Sequence, residues 1–395
     1  MASLLFLTQR IPYPPDKGDK LRSYAILRHL ARRWTIHLGC FIDDPADHAH
    51  LDALRPLCAS LHAVDLRRRV ATVASAAGLL LGTSLSERFF HARSMARWVD
   101  GELSRGPAAI FVYSGVMGQY VLGRTGGARL VTDLVDVDSE KWRQYAERRR
   151  GPAAWIYRRE ARAVLRLERR LAQASDATLF VSEPEAALFR QRAPDCVDKV
   201  RVVGNGIDHA FFDPDLPHAD PFPAGCRAIV LTGAMDYWPN IDAAEFFQAD
   251  VLPRIRARFP DACFYVVGRN PPPRVRALET DGVVVTGGVD DVRPYLRHAA
   301  LVVAPMRIAR GIQNKVLEGM AMARAVVATP SGYEGLAARP GEELLVGADA
   351  AALAAACEGL LADPSRAEMV GAAARRRILA DYNWPARLAG LDELL

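Results

Sequence analysis

The sequence lacks the long apolar runs, paired cysteines and targeting segment that mark membrane, metal-binding and secreted proteins. No stretch reaches the roughly 18 to 20 apolar residues of a membrane-spanning helix, and the longest apolar run, residues 70–81, is much shorter. Residues 2–7 are too few for the apolar part of a signal peptide and follow no basic start. The six cysteines are scattered and form no CxxC pair. We therefore expect a cytoplasmic protein with reduced, buried cysteines.

Two further absences narrow the function. No strand-like segment leads into a GxGxxG turn with an acidic residue about 20 positions later, which disfavours a dehydrogenase. Lysine and arginine number 51 against 46 acidic residues, and a net charge of +5 is modest for 395 residues, so no nucleic-acid partner is indicated. No histidine lies in a motif that assigns it chemistry. We predict neither a cofactor nor a bound metal.

The chain is long enough for two domains, since one hydrophobic core stops growing at about 250–300 residues. Strand-like runs alternate with helix-like stretches, which is typical of parallel sheets with crossover helices. The runs expected to be strands are residues 4–8, 35–41, 109–113, 130–133, 178–181, 200–203, 228–232, 263–267, 282–286, 301–304 and 325–328. Residues 213–225 show neither a helical nor a strand periodicity of apolar residues, and they are the best candidate for the linker between the domains. We predict an α/β protein with an acceptor-side domain over 1–204, which the tail 382–395 can join, and a donor-binding domain over 205–381.

Residues 304–323 carry the pattern with the clearest chemistry. A buried strand leads into a basic, glycine-containing loop, and a helix is predicted to begin near Gln313. Backbone amides at a helix start favour an anion such as a diphosphate, and Arg307, Arg310 and Lys315 add cations. Lys315 and Glu318 share a helix face, so the cation can hold phosphates while the carboxylate accepts two ribose hydroxyls. An ion pair on a solvated helix is the plainer alternative.

Three loops of the first domain also follow predicted strands or precede a helix. Asp16, Lys17, Gly18 and Asp19 precede a helix predicted from about Lys20, where Gly18 lets backbone approach a sugar phosphate; a turn with an N-cap is the alternative. Ser114 and Gly115 follow residues 109–113, and either bind the acceptor or make a tight turn. Asp136 follows residues 130–133 and is a candidate for orienting acceptor or sugar. The spacing of Asp136 and Asp138 would suit a metal in the other large transferase fold, but we favour routine loop residues.

Residues 141–170 are strongly basic, with eleven lysines and arginines against three acids and with aromatic residues between them. A solvated helix face explains such a stretch. A surface that binds anionic lipid headgroups also explains it, and both interpretations stay open.

Several segments together resemble family 4 glycosyltransferases. Residues 311–329 with 332–335 resemble the donor-site segment, residues 202–208 the interdomain segment, and residues 288–296 the loop near the nucleotide base. More narrowly, residues 12–24 and 133–142 resemble sugar transferases associated with exopolysaccharide and PEP-CTERM systems. The resemblance implies a GT-B fold, two Rossmann-like domains facing a cleft, and a retaining, metal-independent hexosyltransferase that uses a UDP- or GDP-sugar.

The positions of the residues in the chain and the resemblance together give the candidate site. The catalytic candidates are Asp136, Lys315 and Arg310, and the acceptor-binding candidates are Asp16, Lys17, Ser114 and Gly115. The donor-binding candidates are Gly18, Asp19, Gly233, Arg269, Gly288, Val289, Arg307, Gly311, Ile312, Gln313, Asn314 and Glu318.

Two departures from the family pattern affect the expected site. The family often has two glutamates with seven residues between them; Glu318 matches the second, but Arg310 occupies the first position. Residues 233–240 lack the arginine and lysine that many relatives place against the diphosphate, and we expect Arg307 and Arg310 to compensate. The acceptor is expected to be a saccharide or a lipid-linked saccharide. A nucleotide-sugar 2-epimerase and a non-catalytic sugar-nucleotide binding protein are the alternatives.

Overall fold

The computed structural model describes residues 1–15, 18–75, 78, 82–147, 149–309 and 311–395. Contacts divide the chain into two compact units. The first contains Met1–Gly204 together with Leu388–Leu395, and the second contains Asn205–Arg387. Three predicted site residues lie outside the described residues: Asp16 and Lys17 of the first unit and Arg310 of the second.

The described residues of the first unit form a seven-stranded sheet in the order β3-β2-β1-β4-β5-β6-β7, and every strand pair is parallel. The strands are β1 (Ser3–Thr8), β2 (Thr35–Ile42), β3 (Ser60–Asp65), β4 (Ala109–Tyr113), β5 (Arg129–Val135), β6 (Ala177–Phe180) and β7 (Val200–Val202). The helices are α1 (Gly18–Leu30), α2 (Leu51–Leu54), α3 (Arg68–Ser75), α4 (Leu85–Phe89), α5 (Arg93–Ser104), α6 (Asp138–Glu147), α7 (Pro152–Ala174) and α8 (Glu183–Arg192).

The described residues of the second unit form a six-stranded parallel sheet in the order β10-β9-β8-β11-β12-β13. The strands are β8 (Arg227–Thr232), β9 (Ala262–Val267), β10 (Val283–Gly287), β11 (Leu301–Ala304), β12 (Val326–Ala328) and β13 (Leu345–Val346). The helices are α9 (Trp238–Phe246), α10 (Leu252–Arg258), α11 (Pro273–Arg276), α12 (Arg293–His298), α13 (Asn314–Ala321), α14 (Pro330–Tyr333), α15 (Ala350–Ala362), α16 (Pro364–Arg377) and α17 (Trp384–Leu388). The prediction of two doubly wound parallel sheets is confirmed.

Each sheet is buried on both faces, as parallel sheets require when crossover helices cover them. In β8, Ile229 and Leu231 pack into the apolar cluster on one face, while Ala228 and Val230 pack into the cluster on the other. Side chains alternate along a strand, so a continuous apolar run serves both layers. This is why the strands read as unbroken apolar stretches in the sequence.

Among the described residues, the helices α4, α14, α15 and α16 begin after a side chain that accepts from a free backbone amide. At α4 the Ser84 hydroxyl accepts from the Glu87 amide and the Glu87 carboxylate accepts from the Ser84 amide, which is a capping box. At α15 the Asp349 carboxylate accepts from the Ala352 amide at 2.8 Å. The six cysteines are free thiols, but only Cys40, Cys196 and Cys357 are buried, so the expectation of buried cysteines holds for half of them.

The strand orders fix where loops converge. In the second unit the order runs outward from β8 in both directions, and β8 pairs directly with β11. In the first unit β1 and β4 have the same relation. Ligands of doubly wound folds bind beyond the carboxyl ends of the strands at such a switch point. The loops after β8 and β11 are therefore the candidate site of the second unit.

Candidate functional site

Three polar side chains meet beyond the carboxyl ends of β8 and β11. Thr232 is the last residue of β8, while Lys315 and Glu318 lie on α13, which follows β11. The Thr232 hydroxyl donates to Glu318 Oε2 at 3.2 Å, which links the strand to the helix. The sequence predicted the Lys315 and Glu318 pair but not its third member, because a threonine that ends an apolar strand carries no signal of its own.

Lys315 is held in a buried position at the start of α13. Its exposed fraction is 7%, and Nζ donates to Asn240 Oδ1 at 2.9 Å. Burial lowers the pKa of Lys315 to about 8, against the opposing effect of the Glu318 charge. Asn240 is itself buried and its amide donates to the Ala234 carbonyl at 2.9 Å. A buried ammonium with one neutral partner retains donors for an incoming anion.

Glu318 is partly exposed, with one carboxylate oxygen fixed by Thr232. Burial raises the pKa of Glu318, while the Lys315 charge and the hydrogen bond from Thr232 lower it in part. A carboxylate has about four acceptor positions, and this hydrogen bond occupies one of them. The remaining positions can accept hydroxyl groups from a ligand.

The loops after β8, β9 and β10 are joined by backbone hydrogen bonds. The amide of Gly233 donates to the Val267 carbonyl at 3.0 Å, and the amide of Gly268 donates to the Gly287 carbonyl at 3.1 Å. A Cβ on Gly268 would lie 1.7 Å from the Gly233 oxygen, so no larger residue fits there. Gly233 has φ of 145°, which side-chain-bearing residues rarely adopt. The glycines thus bring bare backbone to the edge of the candidate site.

The predicted donor residues of these loops occupy the same edge. Arg269 follows Gly268, and Gly288 packs on it, since a Cβ on Gly288 would contact Arg269 Cβ at 3.5 Å. Val289 is partly buried against the apolar cluster that contains β11. The fold brings these predicted residues to the edge of the candidate site, and their donor-binding roles stay predictions.

The loop from 311 to 314 leads directly into α13. Gly311 has φ of 65°, and the Gln313 side chain donates to the Gly311 carbonyl at 3.0 Å. Ile312 is partly buried, with Gly335 packed against it. The helix begins at Asn314, one residue after the predicted start. Because α13 follows β11, the free amides of its first turn lie at the carboxyl edge of the sheet. This geometry suits a phosphate group.

Arg307 is paired with α9. Its guanidinium donates to both carboxylate oxygens of Asp242, at 3.0 Å and 2.5 Å, and lies 5.0 Å from the centre of the Phe246 ring. The side chain is still 50% exposed, and its donor-binding role stays a prediction. Asp242 lies 65 positions away in sequence, and nothing in the local pattern indicates the pair.

The predicted residues of the first unit are also engaged by neighbouring side chains. Asp19 accepts from Arg10 at 2.8 Å, and its carbonyl accepts from the Tyr113 hydroxyl at 2.9 Å, which ties the start of α1 to the end of β4. Asp136 accepts from Lys141 of α6 at 2.9 Å, and the same ammonium donates to Asp138 at 3.0 Å. The orienting role of Asp136 stays a prediction.

The turns after β4 and β5 are strained. Ser114 and Val135 both have positive φ, at 71° and 68°, although neither is glycine. A valine in this region is unusual and persists only where surrounding contacts impose it. Gly115 is tightly packed, since a Cβ there would lie 3.0 Å from Leu134. Gly18, in contrast, has open space around it. Ser114 directly follows β4, so this strained residue lies at the switch point between β1 and β4.

The described residues contain neither a metal-ligand cluster nor a helix able to cross a membrane. No group of three or more histidine, cysteine, aspartate or glutamate side chains in this part of the chain is arranged to hold a metal ion. Within the same residues, no helix is both long and apolar enough to cross a membrane. The expectations of metal independence and of membrane association stay predictions.

The comparisons with known proteins agree with this geometry. Residues 226–363, which lie within the second unit, match the family model described as Glycosyl transferases group 1. No curated protein matches the sequence.

Solved structures of similar fold extend the likeness over the whole chain. HepE from Anabaena, crystallised with UDP and glucose, has 14% identity and a TM-score of 0.68 over 100% of this chain and 99% of its own. Sucrose-phosphate synthase from Thermosynechococcus elongatus has 19% identity and a TM-score of 0.70 over 100% and 98%. WaaG, a glycosyltransferase of lipopolysaccharide biosynthesis, has 15% identity and a TM-score of 0.66 over 99% of each chain. The protein therefore has the GT-B fold.

Proposed function

We propose that this protein is a retaining glycosyltransferase that moves a hexose from a UDP- or GDP-sugar to a saccharide or lipid-linked acceptor in exopolysaccharide biosynthesis. The observation that carries the proposal is the cluster of Lys315, Glu318, Thr232 and Asn240 at the switch point of the second unit. The family match of the same unit and the UDP and UDP-glucose bound by HepE support a nucleotide-sugar donor.

The cluster suits the departure of a nucleoside diphosphate. In the proposed reaction the bond between the sugar's anomeric carbon and the β-phosphate oxygen breaks, and negative charge develops on that phosphate. Lys315 Nζ and the first amides of α13 stabilise this charge, and Glu318 accepts hydrogen bonds from the ribose hydroxyls. The acceptor hydroxyl bonds to the anomeric carbon from the same face and passes its proton to the leaving phosphate. Because protein cations take the charge, the step needs no metal.

Product analysis tests the reaction class. The wild-type protein is incubated with UDP-glucose or a GDP-sugar, with and without saccharide acceptors, and with EDTA present. Release of nucleoside diphosphate that depends on an acceptor, yields a glycoside of retained configuration and continues in EDTA supports the proposal. Release without an acceptor, together with a 2-epimeric sugar, identifies an epimerase. Donor binding without turnover across a panel of acceptors indicates a binding protein.

We also propose that α6 and α7 rest on the cytoplasmic face of an anionic membrane, near a lipid-linked acceptor. Arg158, Arg162, Arg166 and Arg170 repeat every four residues and are exposed, so they form one basic face of α7. Trp155, which is 58% exposed, lies at the start of this helix. Tyr145 of α6 is also half-exposed. Interfacial helices combine basic residues with aromatic side chains in this way.

Vesicle cosedimentation measures the membrane proposal. We expect wild-type protein to bind vesicles containing anionic lipid and not neutral vesicles, with binding lost as salt rises. The double change Arg158→Gln and Arg162→Gln should weaken binding about thirtyfold, since each basic residue near an anionic surface contributes about 1 kcal/mol and every 1.4 kcal/mol is tenfold. The remaining arginines of this face should keep some binding. Arg276→Gln, an exposed arginine of the second unit, is the matched control. Equal binding to neutral vesicles would contradict an electrostatic surface.

The low pKa of Lys315 predicts a pH-dependent donor affinity. The free lysine is protonated below a pKa of about 8 and binds phosphate in that form only. We expect the Kd of the nucleoside diphosphate to rise about tenfold between pH 7 and pH 9, one factor of ten for each unit above the pKa. Lys315→Arg stays charged and should flatten the profile. An unchanged slope in that variant would assign the titration to another group.

The ligand-free protein is the reference at every pH of this experiment. A lysine whose pKa is lower in the folded than in the unfolded state binds fewer protons when folded, between about 8 and the unfolded value. The unfolded state therefore binds more protons in that window, and the ligand-free protein becomes more stable as pH rises through it. This trend opposes the loss of affinity, so thermal shifts are compared only at equal pH.

A further inference from the structure

The second unit has a cavity of about 1000 Å³ at the amino ends of its strands. Its lining includes Arg227, the first residue of β8, and Ala300 and Ala325, which immediately precede β11 and β12. The Lys315 cluster lies beyond the carboxyl ends of the same parallel strands. The two places are at opposite edges of one sheet, so the cavity is separate from the proposed donor site.

The lining of the cavity is rich in positive charge. Among the described residues that line it, the charged side chains are Arg227, Arg258, Arg297, Arg324 and Glu368. Arg227 pairs with Asp261 at 2.8 Å, and Arg258 lies 3.6 Å from Glu358. The partners Asp261 and Glu358 do not line the cavity, and they neutralise the charges of these two arginines. Arg297 and Arg324 leave an excess of positive charge over Glu368.

Among the described residues, the Arg324 guanidinium forms no ion pair with a carboxylate. Its Nε is buried and has no hydrogen-bond partner among the described residues, and its Nη1 is 3.5 Å from the Ala299 carbonyl. Burial and, to a smaller extent, the nearby charge of Arg297 lower the pKa of Arg324 to about 10, against the opposing effect of Glu368. A buried guanidinium beside a second one is unfavourable until an anion joins them.

The cavity lining also has apolar residues. The guanidinium of Arg227 lies 5.1 Å, and that of Arg258 5.5 Å, from the centre of the Phe259 ring. Leu360 and Leu361, from the end of α15, also line the space. Ligand sites typically combine an apolar wall with a few convergent polar groups.

We propose that this cavity binds a small phosphate-bearing organic molecule, with the phosphate between Arg297 and Arg324 and the organic part against Phe259. The planar guanidinium forks match phosphate oxygens in geometry and in charge. A volume of about 1000 Å³ leaves room for more than a free phosphate. The proposal does not depend on the donor site or on the transferase reaction.

Calorimetric titration with inorganic phosphate and with phenyl phosphate tests the site at low salt. Both titrations use protein that carries Lys315→Ala, so that the proposed donor site contributes no binding. We expect phenyl phosphate to bind more tightly than phosphate, and Phe259→Ala to remove that difference. Arg324→Gln and Arg297→Gln should each weaken both ligands at least tenfold. Arg276→Gln, an exposed arginine outside the cavity lining, should leave both affinities unchanged.

The arginine variants separate loss of the site from loss of the fold. Arg324→Gln removes the buried, repelled charge, so we expect ligand-free protein with this change to melt no lower than its parent. If the Arg324→Gln protein does not fold, the ligand affinities of the Arg297→Gln protein test the site. Equal affinities in parent, Arg324→Gln and Arg297→Gln would overturn the proposal. Absence of binding in the Lys315→Ala protein, with binding in wild type, would overturn it too.

Discussion

Lys315→Ala is expected to remove most of the stabilisation that a nucleoside diphosphate gives the wild-type protein. Hydrogen bonds to charged groups contribute about 1.5–3 kcal/mol each, so we expect the Kd to rise about tenfold to a hundredfold. At a ligand concentration of about 100 times the wild-type Kd, a ligand stabilises the native state by about 2.7 kcal/mol. A thermal-shift titration with UDP, GDP and ADP measures the effect and identifies the base.

Glu318→Ala should lose affinity in a way that depends on the ribose. We expect this variant to bind the nucleoside diphosphate at least tenfold more weakly, since a hydrogen bond to a carboxylate is lost. Its affinity for inorganic pyrophosphate should be unchanged, because pyrophosphate has no ribose hydroxyls. Lys315→Ala should weaken both ligands. This contrast assigns the phosphates to one side chain and the ribose to the other.

A lysine of the first unit supplies the control for both variants. Lys199→Ala removes the same charge at a position where Nζ donates only to the Gln173 carbonyl, at 2.6 Å, among the contacts of the described residues. Its titrations should match those of wild type. If no nucleotide stabilises wild-type protein, or if Lys315→Ala and Glu318→Ala keep the full shift, the donor-site assignment is wrong.

The sequence predicted the sheets well because parallel strands are buried on both faces and appear as apolar runs. Residues 109–113 and 301–304 were predicted with the bounds that the structure has. Two strands were missed. Ser60–Asp65 is an edge strand with every residue at least partly exposed, and Leu345–Val346 has only two residues. Neither presents the unbroken apolar run on which the prediction relied.

The site was predictable only where its members are close in sequence. Lys315 and Glu318 lie one helical turn apart, and their shared face follows from helix geometry alone. Their partners Asn240 and Thr232 are 75 and 86 positions away. The pairing of Arg307 with Asp242, 65 positions away, is equally remote. Such contacts depend on the packing of α9 against the loop after β11, which no local pattern encodes.

The first unit contains a buried ion pair that the sequence also concealed. Arg22 of α1 and Asp133 of β5 are 111 positions apart, and Arg22 Nε donates to Asp133 Oδ2 at 2.8 Å. Both side chains are almost fully buried, with exposed fractions of 1% and 0%. Asp133 also accepts from the amide of Val135 at 3.1 Å, beside the strained turn. The pair thus fixes the start of α1 against the carboxyl end of β5.

Asp133→Ala should therefore be among the most destabilising single changes in the first unit. Removal of one member of a buried pair leaves the other charge uncompensated and costs about 3–5 kcal/mol. We expect urea unfolding, followed by circular dichroism, to show one transition displaced to lower urea. The same transition should stay in place in Lys315→Ala, which changes the second unit, and this identifies it as the unfolding of the first.

Two further variants separate the buried pair from carboxylates in general. Asp52→Ala removes an exposed carboxylate of the first unit that pairs with Arg55 at 2.9 Å, and exposed pairs contribute about 0–1 kcal/mol, so its transition should scarcely move. The double change Arg22→Met and Asp133→Leu replaces both charges with apolar groups, which often restores the stability that a single change removes. If Asp133→Ala unfolds at the wild-type urea concentration, the pair does not hold α1 to the sheet. If the double variant is as unstable as Asp133→Ala, the pair's hydrogen bonds matter more than the uncompensated charge, because an apolar pair removes that charge but forms no hydrogen bond to the amide of Val135.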